Sequence, residues 1–255
     1  MNPKLKKFLS KIINDKFLKK FDYKIIKLQS NKIVEATSDE NLLIEKCIQY
    51  SMTPYIRMWT IINSINYVSN NNIKGDFVEC GVWKGGNLIL YNLLNKKKNL
   101  NRKIYGYDTF EGMSTPSRFD FINNTSSQTY INNLYNQKTN SKSGWSKCTI
   151  DEVKENIMTE SSLENINLIK GKVEDTLLNN NNVPEKISII RLDTDFYEST
   201  KIELEVLFPR LEKNGILIID DYGYKYGARK AVDEYFDDKP FLIYVDHDCR
   251  LLIKN

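Results

Sequence analysis

The chain has one histidine, and its four cysteines, Cys47, Cys80, Cys148 and Cys249, stand far apart with no C-x-x-C pair. A thiolate or Cys/His zinc centre needs soft donors at short spacings, so none is expected. Reduced thiols in a cytoplasmic protein are the default reading. No apolar run is long enough to span a bilayer, and the first residues lack the apolar core of a signal peptide. Stable membrane insertion is therefore not expected. Charge is not in large excess either: 37 Lys and Arg against 33 Asp and Glu leave a net +4. That balance implies no nucleic-acid partner. There is no Pro/Gly/Ser linker and no internal repeat among the 255 residues.

What is present fits a soluble α/β protein, with 41% hydrophobic and 27% charged residues. The abundance of Asn, Lys and Ile suggests an AT-rich bacterial genome. Residues 1–70 read as an N-terminal helical extension and 71–255 as the main domain, with an insertion near 114–147. Within the extension, Lys4 to Lys27 is basic and carries apolar residues near helical spacing. It reads as an amphipathic helix packed on its own domain or on a second subunit, with an anionic membrane surface as the alternative. Residues 39–49 and 54–68 read as further helices, capped by Ser38 or Asp39 and started by Pro54.

From residue 76 the periodicity changes. Short apolar runs at 76–80, 103–107, 166–169, 187–192 and 215–219 read as strands, separated by helices at 87–94, 150–158, 199–211 and 228–236. Ser199 is placed as a helix cap, and Gly215 as the stop before the next strand. A strand pair at 241–245 and 251–253 closes the chain around Asp246-His247-Asp248. This alternation predicts a mostly parallel sheet with right-handed crossovers and one antiparallel strand at the end. Residues 114–147 are polar and aperiodic, too long for an ordinary connection, and read as a lid.

Three clusters sit where strands end, which is where open α/β sheets bind ligands. Glu79-Cys80-Gly81-Val82-Trp83-Lys84-Gly85-Gly86 is a strand-turn-helix with an acidic lead. Its glycine spacing is not that of a dinucleotide fingerprint or a P-loop. A carboxylate there suits a ligand carrying an amine and a sulfonium. Asp108 ends the second strand, where a carboxylate accepts the hydroxyls of a ribose. Asp193-Thr194-Asp195 and Asp220-Asp221 end two further strands and bring four carboxylates to one edge. Such a cluster repels itself unless a cation or protonation relieves it, and all-oxygen donors point to Mg²⁺, Mn²⁺ or Ca²⁺. His247 falls in a turn away from this cluster and reads as a surface residue; Tyr222 and Tyr224 read as candidate acceptor-site walls.

These residues resemble the TylF/MycF family of macrocin-type sugar O-methyltransferases over roughly residues 40–253. The resemblance rests on Gly75-Asp76-Phe77-Val78-Glu79-Cys80-Gly81-Val82-Trp83, Asp108-Thr109-Phe110-Glu111-Gly112-Met113, Leu192-Asp193-Thr194-Asp195-Phe196-Tyr197-Glu198-Ser199-Thr200 and Ile219-Asp220-Asp221-Tyr222. It implies a Rossmann-like class I methyltransferase fold, with a mostly parallel seven-stranded sheet, an antiparallel last strand and N-terminal helices. It further implies S-adenosylmethionine as methyl donor, with Glu79 and Gly81 lining its site, Asp108 at the ribose, Val173 and Glu174 at the adenine, and Met52 and Thr53 at the methionine end. Asp193, Asp220 and Asp221 would hold Mg²⁺, and Asp195 would be the general base. The resemblance implies a sugar as acceptor; the Asn-, Lys- and Ile-rich composition points to a sugar or sugar nucleotide for a bacterial surface polysaccharide such as a capsule. A homo-oligomer, dimer or tetramer, is also expected. The basic N-terminus and residues 114–147 match no family pattern, so the acceptor is not carried over.

Two other readings use the same residues. Asp193-Thr194-Asp195 is a D-x-D pattern, as in metal-dependent glycosyltransferases that use sugar nucleotides. Against it stand the Glu79 turn and Asp108, which suit a nucleoside with a sulfonium. A non-catalytic scaffold would be expected to have lost part of the acidic cluster, and all four acids are present.

Overall fold

A computed structural model describes residues 33–121 and 146–255. The basic segment 4–27 and most of the aperiodic segment 114–147 lie outside the described residues, so the helix and lid expected there are not addressed.

The described residues belong to one compact unit spanning 33–255. It contains α1 (Ser38–Cys47), α2 (Tyr55–Asn70), β1 (Asp76–Cys80), α3 (Gly86–Lys97), β2 (Ile104–Asp108), α4 (Ile150–Glu160), β3 (Ile166–Lys170) and α5 (Val173–Thr176). It continues with β4 (Ile187–Leu192), α6 (Tyr197–Leu207), β5 (Leu211–Ile219), α7 (Tyr226–Tyr235), β6 (Ile243–Tyr244) and β7 (Arg250–Ile253). The seven strands run in the order β3-β2-β1-β4-β5-β7-β6. The first five are mutually parallel, and β7 is antiparallel to β5. The expected architecture is therefore observed.

Each central strand sends alternate side chains to two packed faces, the period-two rule of a strand. Phe77, Ile189, Ile216 and Ile218 meet α2 and α3 through Met58, Ile61, Ile62, Ile65, Leu88 and Ile89. Val78, Cys80, Ile190, Leu192, Leu217 and Ile219 meet Leu204 and Leu207 of α6 and Val232 of α7. The sequence reading sets residues 1–70 apart from the main domain; in the structure α1 and α2 contribute Ile44, Cys47 and Met58 to the sheet's own core. All four cysteines are free and buried. Among the described residues no helix is long and apolar enough to cross a membrane.

Several boundaries differ from expectation. Thr37, not Ser38 or Asp39, caps α1, in a capping box with Glu40. Pro54 occupies the cap of α2 rather than its first turn. Ser199 is not a cap: α6 starts at Tyr197, whose N–H donates to Asp120 Oδ1 at 2.7 Å. The cap is supplied from a distant part of the chain. α6 stops at Leu207 as the chain enters the tight turn Phe208–Arg210 around Pro209, and Gly215 lies inside β5 instead of ending a helix. The capping box Thr149/Glu152 opens α4 as expected.

Candidate active site

The strand order reverses between β1 and β4, and a cavity of about 430 Å³ opens at the carboxyl ends of the strands there. Met52, Thr53, Gly81, Asp108, Val173, Glu174, Asp193, Asp195 and Asp220 all line it. Glu79 and Asp221 do not. Glu79 is the fourth residue of β1, inside the strand rather than past its end, and is 1% exposed beneath the cavity floor.

One half of the cavity is built from backbone. After β1 the chain turns at Gly81, whose φ is +89°. A Cβ there would stand 2.0 Å from the carbonyl oxygen of Asp193. Only glycine lets β1 and β4 end this close together. The turn is stapled by Asp108, whose Oδ2 accepts from the amides of Val82 at 2.8 Å and Trp83 at 3.0 Å. Its Oδ1 accepts from Phe110 N at 2.7 Å. A carboxylate offers about four acceptor sites, so Asp108 has few left for a ligand. Besides lining the cavity, it fixes the turn.

Below this turn lies a buried polar layer. Glu79 and Arg191 are register partners on β1 and β4 and share a face. Arg191 Nη1 donates to Glu79 Oε1 at 2.7 Å, and Asn87 Nδ2 donates to the same oxygen at 2.8 Å. Asn87 Nδ2 and Arg191 Nη2 also donate to Thr53 Oγ1, each at 3.0 Å. Burial pushes the Glu79 carboxyl up to about 7, against the pull of Arg191 and Asn87.

The other half is made of charged side chains. Oxygens of Asp193, Asp220 and Asp221 lie within 4.8 Å of one another. Arg191 contacts Asp193 Oδ2 at 2.9 Å and Asp220 Oδ1 at 2.8 Å. Arg57, from the first turn of α2, donates to Asp220 Oδ2 at 2.6 Å, Asp246 Oδ2 at 2.7 Å and Asp248 Oδ2 at 2.9 Å. Asp221 Oδ2 accepts from the backbone N–H of Asp195 at 3.2 Å. Asp195 itself has φ +69° and lies 3.3 Å from Lys225 Nζ. A non-glycine residue in that region is uncommon and marks a constrained position.

Desolvation first, then mutual repulsion, holds the Asp193 and Asp221 carboxyls well above the usual carboxylate range. Three guanidinium and ammonium groups face Glu79, Asp193, Asp195, Asp220, Asp221, Asp246 and Asp248, so negative charge remains in excess. Ligand atoms about 2.1 Å from one hard cation lie roughly 3–4 Å apart. The three aspartates therefore fit a divalent cation in donor type and charge, and their oxygens, within 4.8 Å of one another, would close slightly around it.

Sequence reasoning missed Arg57 and Arg191. Arg191 left a trace, a lone cation inside the apolar run Ile187-Ser188-Ile189-Ile190-Arg191-Leu192. A buried arginine requires partners. Arg57 left none, because its partners are 163 to 191 residues away. His247 is 83% exposed and pairs with Asp248. Tyr224 lines the cavity, while Tyr222 faces Asp233 outside it.

Comparison with known proteins gives consistent matches. The profile of the macrocin-O-methyltransferase (TylF) family matches residues 5–249. Demethyldecarbamoylnovobiocin O-methyltransferase of Streptomyces niveus is 30% identical over 205 residues, 78% of this chain and 73% of that protein. The 8-demethyl-8-(2,3-dimethoxy-alpha-L-rhamnosyl)-tetracenomycin-C 4'-O-methyltransferase of Streptomyces olivaceus is 29% identical over 191 residues, 74% of this chain and 68% of the relative. Among solved structures, the O-methyltransferase NovP superposes with a TM-score of 0.68 at 28% identity, covering 80% of this chain and 82% of its own.

Proposed function

Since the chain belongs to the macrocin-O-methyltransferase (TylF) family, we propose that it moves the methyl group of S-adenosylmethionine to a sugar hydroxyl with the help of a hard divalent cation. The acceptor in this reading is a nucleotide-linked sugar destined for a bacterial surface polysaccharide. A relative whose name specifies a rhamnosyl 4'-oxygen supports the sugar, and the AT-rich composition supports the bacterial polysaccharide. The observation that carries the reading is one cavity joining a glycine turn to three clustered aspartates. The three proteins compared above are methyltransferases, which gives the D-x-D glycosyltransferase reading no support.

S-adenosylmethionine supplies an electrophilic methyl on a sulfonium. Met52 and Thr53 would hold its methionine end, Gly81 and Asp108 its middle, and Val173 and Glu174 its adenine. Glu79 acts from below, through Asn87, Thr53 and Arg191, and keeps the floor of the site in place. Asp193, Asp220 and Asp221 would hold the divalent cation, which would supply Lewis acidity toward an acceptor hydroxyl. Asp195 takes that hydroxyl's proton on its carboxylate, and Lys225 beside it keeps the carboxylate oriented. The cavity walls hold both reactants in one place, which lowers the barrier by about several kcal/mol. Incubating the protein with S-adenosylmethionine, Mg²⁺ and a panel of nucleotide sugars is expected to yield a product heavier by one methylene in mass spectrometry. Methylation of free sugars alone would overturn the nucleotide-linked acceptor, and no product from any sugar would overturn the sugar reading.

A further inference from the structure

Arg191 is 1% exposed, and its two terminal nitrogens are shared in parallel fashion. Nη1 reaches Glu79 Oε1 at 2.7 Å and Asp193 Oδ2 at 2.9 Å. Nη2 reaches Thr53 Oγ1 at 3.0 Å and Asp220 Oδ1 at 2.8 Å. Each nitrogen thus has one partner under the donor half and one in the acidic cluster. We propose that Arg191 is a positioning residue that makes donor binding and cation binding cooperative. The proposal rests on the function given above, since it presumes that both ligands bind this cavity.

A guanidinium is a planar fork whose donors move together. Its Nε is buried and has no hydrogen-bond partner, so the hydrogen bonds to Glu79 and Thr53 and the charge contacts with Asp193 and Asp220 set its orientation. The donor-side pair is itself one unit, because Asn87 Nδ2 ties Thr53 to Glu79. A cation held by Asp193 and Asp220 would offset their electrostatic pull on the fork. The hydrogen bonds from Arg191 to Glu79 and Thr53 would then no longer compete with that pull, and the floor on which the donor rests would be held more firmly. By linkage, a donor that orders Thr53 steadies the fork and the aspartates in return. A simple buried counter-charge would neutralise the carboxylates without linking the two events.

Calorimetry on the full chain tests this with S-adenosylhomocysteine and Mn²⁺. S-adenosylhomocysteine has no sulfonium, so direct repulsion between the two ligands does not mask the coupling. In the unmodified protein Mn²⁺ is expected to tighten S-adenosylhomocysteine by roughly fivefold or more. In Arg191→Lys that ratio is expected to fall to within about twofold of one, because one ammonium cannot serve both pairs. Thr53→Val removes the hydroxyl that accepts from Asn87 and Arg191 and leaves the buried charges in place; its ratio is expected to fall at least about twofold, and it decides the matter if the arginine variant does not fold. A ratio near one in the unmodified protein, or an undiminished ratio in either variant, overturns the coupling role. If neither ligand binds the unmodified protein, the proposed function fails first and this inference with it.

Discussion

The two halves of the cavity are held by different forces. The donor half is set by backbone: a glycine turn, strand ends in register, and amides that converge on Asp108. The acidic half is set by charged side chains that converge from α2, β4, the end of β5 and the loop before β7. Backbone geometry is local and tolerates changes of solvent. An assembly of like charges is non-local and depends on its counter-charges. One half is shaped by its own backbone, and the other is poised at an electrostatic cost that a bound cation would relieve.

The largest expected difference between the halves is in their response to chelation. EDTA is expected to reduce methyl transfer to background and Mg²⁺ to restore it, while S-adenosylhomocysteine still binds in EDTA, though more weakly. Full activity in EDTA would remove the cation from the mechanism. Next comes Asp195→Asn, which keeps the residue's shape and removes its basicity. Turnover is expected to drop by roughly 10²–10⁴-fold with S-adenosylhomocysteine and Mn²⁺ affinities retained. A turnover within threefold or so of the unmodified enzyme would reassign the base.

Gly81 is where the two halves touch, and Gly81→Ala tests whether they can be separated. The left-handed φ and the 2.0 Å approach to the Asp193 carbonyl both oppose a methyl group. The expected loss is about 3 kcal/mol or more, seen as a melting point lower by about 6 °C or more. An unchanged melting point would mean that the contact between β1 and β4 is not as tight as described. The smallest effect is expected from Asp108→Ala, about 1–3 kcal/mol in S-adenosylhomocysteine affinity, read by calorimetry. Because Asp108 also staples the turn, a crystal structure of that variant is expected to show the Val82 and Trp83 amides displaced.

The contrast also explains what could be read from the sequence. Strands β1 and β4 and their acidic or glycine ends are short-range patterns, and the sheet and the position of the cavity follow from them. Glu79 lies under the cavity and not in its lining, and a strand's last polar residue looks the same in sequence in either case. Its cross-strand partner Arg191 shares its face through period-two alternation, a relation visible only once β1 and β4 are known to be neighbours. Arg57 and the remote cap of α6 by Asp120 belong to contacts between distant segments, and no local pattern encodes them.

The strand order also governs how the chain assembles during its synthesis. β1 and β2 are made early but lie between β3 and β4, which are made later. Pairing Asp76 with Ile187 waits until about 110 further residues have been added, on the order of 5–20 s of ribosome travel. Through that interval α1, α2 and α3, and then α4, supply the described cover of one side of the nascent β1-β2 pair, over Phe77 and Ile104. The other side, Val78, Cys80 and Tyr107, stays bare until Val173 and Leu177 of the α5 region emerge, and α6 completes its cover. A ribosome stalled between residues 108 and 173 therefore presents a half-wrapped sheet, with one sheltered side and one adhesive side, as a substrate for chaperones.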